Sequence, residues 1–353
     1  MSGKHVVVVG AGGVIGSHLV PHLARMPQVV WVTLVDGGIY EEKNLLSQDI
    51  SPRDVGQPKA CVQAERLRRL NPELVRVDAA PAWVEEVPLG VLRGDVILAG
   101  LDSRRARLAV NQIAWRLGAP WWIDAGVLGS ALLVRVNVYL PGPDGPCIEC
   151  AWSPADYAAV EQEYPCGPAG GTAYATHASS ALGALAASMQ ALECQKLLAG
   201  AIDTAAVGRQ VTIDARWHRL TVTTFRRNQC CLFDHQTWRI EPLPCRLEAT
   251  TVEQVLQIGG CLRVEGQTFV RKLVCPDCGA AKALFRLSAS LRRPDRACPY
   301  CGRSMAAPGF DVLECLAASL SESDRACTLA DVGFRIGDVV SIGERHFELI
   351  PSV

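Results

Sequence analysis

The tightest constraint on the fold is the run His5-Val6-Val7-Val8-Val9-Gly10-Ala11-Gly12-Gly13-Val14-Ile15-Gly16-Ser17, which begins four residues into the chain. An apolar, β-branched strand there runs straight into a glycine turn and then into a helix. That junction is how an α/β fold aims backbone N–H groups and a helix N-terminus at a phosphate. A nucleotide is expected against Gly10, Gly12 and Gly13. The run alone does not say which nucleotide, because Gly10, Gly12 and Gly16 also read as a dinucleotide fingerprint.

The alternation of strand and helix repeats downstream. A helix is predicted from about Ser17 to Arg25 and a strand from Val29 to Val35. That strand ends in Asp36, about twenty positions past the turn, where a carboxylate can take ribose hydroxyls. Next come a helix over Cys61–Leu70, a strand over Val96–Gly100 ending at Leu101-Asp102, a further helix and a strand over Trp121–Ala125, with Gly126 and Gly129 breaking the last. Such a succession predicts a Rossmann-like, doubly wound sheet with ligands at the strand C-terminal ends. Leu132–Tyr139, Gln210–Ile213 and Arg219–Thr223 then alternate as antiparallel strands, so the sheet is expected to be mixed.

With 353 residues and 49% hydrophobic content, the chain can bury one large domain and a smaller one. The expected division is 1–245 for a nucleotide-binding domain and 246–353 for a β-rich module. A net charge of −1 offers no electrostatic footprint for nucleic acid. The first strand starts too early for a signal peptide, and the apolar stretch Ala178–Leu198 is crossed by Ser188, Gln190, Glu193 and Lys196. A cytoplasmic chain with no membrane span is the expectation.

Fifteen cysteines in such a chain point to metal or catalysis more than to disulfides. Cys275-Pro276-Asp277-Cys278-Gly279 and Cys298-Pro299-Tyr300-Cys301-Gly302 are two knuckles about twenty residues apart. They read as a zinc ribbon over roughly 272–304, with Cys275, Cys278, Cys298 and Cys301 as ligands to a structural Zn²⁺.

Two family resemblances compete for the opening run. Gly10-x-x-Gly13-x-x-Gly16 resembles the short-chain dehydrogenases and epimerases, which need a Tyr with a Lys four residues on. None of the six tyrosines has one. The Gly-Ala-Gly-Gly turn also resembles the ThiF/MoeB/HesA family, which includes the ubiquitin-activating enzymes. For that family the rest of the chain supplies, in order, Asp36, Asn44-Leu45-Leu46-Ser47-Gln48, Val55-Gly56-Gln57-Pro58-Lys59, Leu70-Asn71-Pro72, Leu101-Asp102 and Ala106-Arg107-x-x-x-Asn111. The resemblance spans roughly the first 245 residues.

It implies an adenylyltransferase that uses Mg-ATP on the C-terminal Gly of a ubiquitin-like or sulfur-carrier protein. Lys59 then serves the α- and β-phosphates, Asp102 the Mg²⁺, and Asn44 and Gln48 hydrogen-bond the nucleotide. The bland readings are a solvated charge at a helix start for Lys59 and a helix N-cap for Asp102. Cys166, in the Gly/Pro-rich crossover loop of about 152–176, matches the family cysteine that receives the activated C-terminus as a thioester for a conjugating enzyme. Cys147-x-x-Cys150 matches half of the family's structural zinc site. The second half is altered to Cys230-Cys231-Leu232-Phe233-Asp234-His235, and the expected ligands are Cys147, Cys150, Cys231 and His235, with Cys230 as rival.

Two departures stand out. Ser47 occupies the place of a family Arg, for which Arg53, Arg104 or Arg105 can substitute, and the chain starts at the first strand, without the family's N-terminal Arg segment. The resemblance implies a homodimer and a bacterial conjugation pathway, with antiviral defence as an expected context. The alternatives are a sulfur-carrier adenylyltransferase without a thioester, an NAD-dependent oxidoreductase and a non-catalytic zinc-ribbon adaptor.

Overall fold

The computed structural model describes residues 3–118, 120–158, 160 and 179–352. It divides into two compact units, Met1–Val87 with Leu92–Trp238, and Pro88–Val91 with Arg239–Val353.

The first unit is built on an eight-stranded mixed sheet: β1 (Lys4–Val9), β2 (Val29–Val35), β3 (Arg76–Ala80), β4 (Val96–Gly100), β5 (Trp121–Leu128), β6 (Leu133–Tyr139), β7 (Arg209–Asp214) and β8 (Arg219–Thr224). Their order is β3-β2-β1-β4-β5-β6-β7-β8. The first five run parallel and the last three are added antiparallel. The helices are α1 (Gly16–Leu23), α2 (Lys59–Leu70), α3 (Arg104–Leu117), α4 (Pro154–Ala158) and α5 (Ser180–Leu198).

Residues from α1, α2 and α5 share one apolar cluster with Val6, Val8, Leu98, Ile123 and Val136. Strand alternation points Trp122 to the other face, and α3 packs on β4 and β5 with Trp115 fully buried. The valine run of β1 lies between two parallel neighbours and is at most 3% exposed from Val6 to Val9, which is why it carries no polar residue.

Several element bounds differ from the sequence reading; α2 begins at Lys59 instead of Cys61. The first helix ends at Leu23 instead of Arg25, with Pro21 inside it. Gly126 does not break β5, which continues to Leu128. A Cβ on Gly126 would lie 3.0 Å from Arg135 Nε and 3.2 Å from Arg107 Nη2, so this glycine makes room for two guanidinium groups.

The Ala-rich α5 buries its polar residues against specific partners. Gln190 Nε2 donates to the carbonyls of Ala99 (3.0 Å) and Ile123 (2.8 Å), and Glu193 Oε2 accepts from Ala206 N–H at 2.7 Å. No helix among the described residues is long and apolar enough to cross a membrane.

In the second unit, β9 (Ile240–Cys245), β10 (Cys261–Val264), β14 (Leu316–Ala317), β15 (Val339–Ile342) and β16 (Arg345–Pro351) form a sheet of order β14-β10-β15-β16-β9. A second sheet has the order β12-β11-β13, from β11 (Phe269–Val274), β12 (Ala281–Leu287) and β13 (Val312–Leu313). The unit's sheet thus starts with β9, just ahead of residue 245, paired in parallel with β16. Phe269, Leu287, Phe334, Val340 and Phe347 belong to its main core, and Val270, Leu273, Cys275, Leu291, Cys298 and Met305 to a smaller one under the cysteine knuckles.

Candidate functional site

β1 and β4 are adjacent, and the chain leaves them into α1 and α3 on opposite faces, so a crevice opens at their C-terminal ends. The glycine turn fits this crevice by necessity. Gly10 has φ +78°, and a Cβ on it would lie 2.6 Å from the Gly100 carbonyl oxygen; one on Gly12 would lie 2.4 Å from Lys59 Cβ. Gly13 is less confined, with its nearest neighbour at 3.3 Å.

Asp36 closes β2 and braces the turn. Its Oδ2 accepts from Gly12 N–H and its Oδ1 from Gly38 N–H, both at 2.9 Å. Each carboxylate oxygen can accept further bonds, so bracing the turn and receiving a ribose hydroxyl are compatible. Sequence reasoning missed Trp83. Its indole lies against Gly37, where a Cβ would fall 2.6 Å from the ring, and it is 60% exposed beside Asp36. Its one sequence signal was a lone Trp in the short connection just after β3.

Lys59 opens α2 with its stem laid over Gly12 and Gly38, and Nζ stands 5.4 Å from the centre of the Tyr40 ring. No carboxylate pairs with it among the described residues. Tyr40 is buried, and burial pushes its phenol well above the usual range, so it stays neutral; Gln63 Nε2 donates to its oxygen at 2.8 Å. The N-cap of α3 is Ser103, whose Oγ accepts from Ala106 N–H, and not Asp102. Asp102 is exposed in the loop after β4 and has no hydrogen-bond or ion-pair partner among the described residues.

Arg107 fixes that loop. Its Nε donates to Asp124 Oδ1 at 2.9 Å, and its Nη2 to the carbonyls of Leu101 and Ala125. Asp124 is fully buried and takes a second guanidinium, that of Arg135, at 3.3 Å. Asn44 Oδ1 accepts from Glu41 N–H at 2.8 Å and caps its own turn. Gln48 Oε1 is buried with no partner, an acceptor that a ligand donor can satisfy.

Of the arginines considered for Ser47, Arg104 is engaged by Asp156 (3.3 Å) and Arg53 Nε by Ser51 Oγ (3.3 Å); Arg105 is exposed. Arg66, not anticipated, ties this segment to α1 through Ser17 O (3.1 Å), Asp49 O (2.8 Å) and the Asp49 carboxylate. Cys166 lies outside the described residues.

Cys147, Cys150, Cys231 and His235 come together in the first unit. Sγ–Sγ distances are 3.8 Å for Cys147–Cys150 and 3.7 Å for Cys147–Cys231, and Cys150 Sγ lies 3.6 Å from His235 Nε2. A tetrahedral metal with sulfur at about 2.3 Å separates its ligand atoms by about 3.8 Å, so the set fits one zinc-sized ion. Cys230 is exposed and outside the set. Asn111 receives Ile148 N–H on its Oδ1 (3.4 Å) and donates to Glu149 (3.3 Å), which anchors the first knuckle to α3. Arg116 holds the other half through two bonds to Asp234 (2.8 and 2.9 Å) and one to the Gln236 carbonyl.

The second cluster, Cys275, Cys278, Cys298 and Cys301, gathers its four sulfurs within 4.8 Å of one another. Each knuckle turns through a glycine at positive φ, Gly279 (71°) and Gly302 (72°). Backbone N–H groups of Tyr300 and Cys301 draw the Cys298 thiol down to about 7, while hydrogen bonds among the thiols push Cys278 and Cys301 up. The donor chemistry and spacing of both clusters suit Zn²⁺.

The fold is a doubly wound α/β sheet with a topological switch point between β1 and β4. The chain belongs to the ThiF family, whose profile matches residues 1–232. It is 34% identical over 231 residues to the sulfur carrier protein adenylyltransferase of Thermus thermophilus, covering 64% of this chain and 80% of that one. It is 30% identical over 237 residues to the SAMP-activating enzyme E1 of Haloferax volcanii, covering 65% and 79%. The solved structure of E. coli MccB with ATP superposes with a TM-score of 0.51 at 21% identity, over 65% of this chain and 66% of that chain, and this likeness concerns the fold.

Proposed function

We propose that the chain uses ATP to adenylate the C-terminal glycine of a ubiquitin-like or sulfur-carrier protein and then receives the acyl group on Cys166 as a thioester. The observation that carries this reading is the pair Lys59 and Asp102, a cation and an anion left without ion-pair partners among the described residues at the mouth of a glycine-lined crevice. Asp36, Gly12 and Gly13 give ribose and phosphate their place, and Trp83 offers the adenine a flat surface.

The carrier's terminal carboxylate oxygen attacks the α-phosphorus, the bond from that phosphorus to the bridging oxygen breaks, and pyrophosphate leaves with the electron pair. Lys59 neutralises charge on the phosphates while Arg107 keeps the Asp102 loop in place. Asp102 offers hard oxygen donors that suit Mg²⁺, which when bound screens phosphate charge. In the second step the Cys166 thiolate attacks the acyl carbon of the mixed anhydride and AMP departs.

We further propose that the first unit is the adenylation module, that each cysteine cluster holds a structural Zn²⁺, and that the protein acts in the cytoplasm as a homodimer serving a conjugating enzyme. The Thermus relative favours a second reading, in which the adenylate goes to sulfur transfer without a thioester on this chain. The test is a carrier adduct seen on non-reducing gels. An adduct removed by thiol and abolished by Cys166→Ala supports the thioester, and its absence while carrier-dependent pyrophosphate exchange persists selects the sulfur-carrier reading.

A further inference from the structure

The net charge of −1 conceals a segregated distribution. Between positions 282 and 303 the second unit carries six basic side chains, Lys282, Arg286, Arg292, Arg293, Arg296 and Arg303, against one acid, Asp295. Asp295 offsets one of these six charges. Its carboxylate accepts from the Arg292 backbone N–H at 2.9 Å and so caps its own loop.

The stretch is held together locally. Met305 N–H donates to the Arg296 carbonyl (2.7 Å), Cys298 N–H to the Arg303 carbonyl (2.8 Å), and Lys282 Nζ to the Asp295 carbonyl (3.2 Å). The arginine loop 292–296, the second cysteine knuckle and the start of β12 are therefore neighbours. Arg303 reaches Asp277 only at 3.8 Å, with both side chains more than half exposed, a pairing that contributes little in water. Arg292 and Arg293 are exposed with no carboxylate partner among the described residues. At the tip of the second knuckle the Tyr300 side chain is 83% exposed.

We propose that this face binds single-stranded nucleic acid, the phosphates tracking Lys282 and the arginine loop and an unstacked base lying on Tyr300. A phosphate backbone supplies the repeated negative charge that the exposed, unpaired guanidinium groups of Arg292 and Arg293 can take up. Stacking accounts for a bare aromatic ring at the tip of the same lobe. An acidic protein surface would satisfy the same charges and pack on Tyr300 as well, and a comparison with polyglutamate separates the two. The whole-chain charge gave no such footprint because acidic residues elsewhere cancel this lobe.

The experiment uses the full-length, zinc-loaded protein and fluorescence anisotropy with labelled oligouridylate and oligothymidylate. Micromolar binding is expected, with the affinity falling as salt rises from about 50 to 200 mM at a log–log slope of about −3, the value for about four phosphates on a single strand. Combining Arg292→Glu with Arg293→Glu is expected to weaken binding at least about tenfold and to shallow the slope by about 1.4. Tyr300→Ala is expected to cost about tenfold while Tyr300→Phe retains affinity. Unchanged zinc content in each variant shows that the ribbon is folded. The proposal is overturned by no anisotropy change at low salt, by binding that survives the double charge reversal, or by an equal affinity for polyglutamate that Tyr300→Ala leaves intact.

Discussion

Cys147 and Cys231 meet across 84 residues of sequence, whereas Cys275 and Cys301 are only 26 apart. The first cluster is buried to half-buried and sits on a large unit. Its halves are anchored before any metal arrives, one by Asn111 and the other by Arg116, both on α3. The second has two of its four cysteines exposed and only a small apolar cluster beneath it. The difference separates two uses of the same ligand chemistry. On the proposed zinc assignment, the fold of the first unit would make its site, whereas in the ribbon the site would make the fold.

The largest expected effect follows from that contrast. Cys298→Ser should unfold the two knuckles, because the zinc proposed there contributes on the order of 10 kcal/mol to such small modules and the six side chains buried beneath the knuckles cannot replace it. Hydrogen exchange should show protection lost in the two knuckles, 275–279 and 298–302, and kept in β1 to β5 and at Phe269 and Leu287 of the second unit's main core; protection kept in the knuckles would mean that both sites rest on preformed folds. In the first unit Cys231→Ser should remove one equivalent of bound zinc and lower the melting temperature by only a few degrees, while Cys230→Ser should change neither. Metal analysis and calorimetry on the pair decide between the two cysteines.

Smaller again is Arg116→Ala. It removes two bonds to Asp234, itself 44% exposed, and one to Gln236, so a loss of about 1–3 kcal/mol is expected in denaturant titrations, with weaker zinc retention in the first cluster alone. The smallest concerns His5, which needs no metal. Burial lowers its pKa below 6.5, although Arg93 O and nearby carboxylates oppose the shift. The fold favours neutral His5, so its contribution is complete above about pH 6.5 and is lost as pH falls through the lowered value. His5→Gln should flatten the melting-temperature profile below pH 6.5; an unchanged slope would show that His5 does not set the acid limb.

How much of this was legible in the sequence depended on the range of the interaction. The β1–α1 junction, the ribbon knuckles and the parallel strands are written in contiguous residues, and their periodicity and glycines expose them. Cys231 and His235 were legible from their spacing and the family resemblance, but their meeting with Cys147 and Cys150, more than eighty residues away, needed the sheet to bring the halves together. Arg107 and Asn111 were visible as letters of a motif, but their actions, bracing Leu101 against β5 and holding the Cys147 knuckle, depend on partners brought by the sheet. Asp36 shows the same limit. Its place at the end of β2 was legible, and its bonds to Gly12 and Gly38 were not. Gly126 read as a strand break because its reason, space for Arg107 and Arg135, lies on other elements.

If the crevice between β1 and β4 activates a carboxylate with ATP, the protein must catalyse ATP–pyrophosphate exchange in the presence of a carrier ending in Gly. That exchange is expected to require the intact carrier C-terminus and to fall by about 10²–10³ in Asp102→Ala and Lys59→Ala, with both variants still folded and zinc-loaded. Exchange that survives loss of Asp102, or that never appears with any carrier ending in Gly, would contradict the proposed activity.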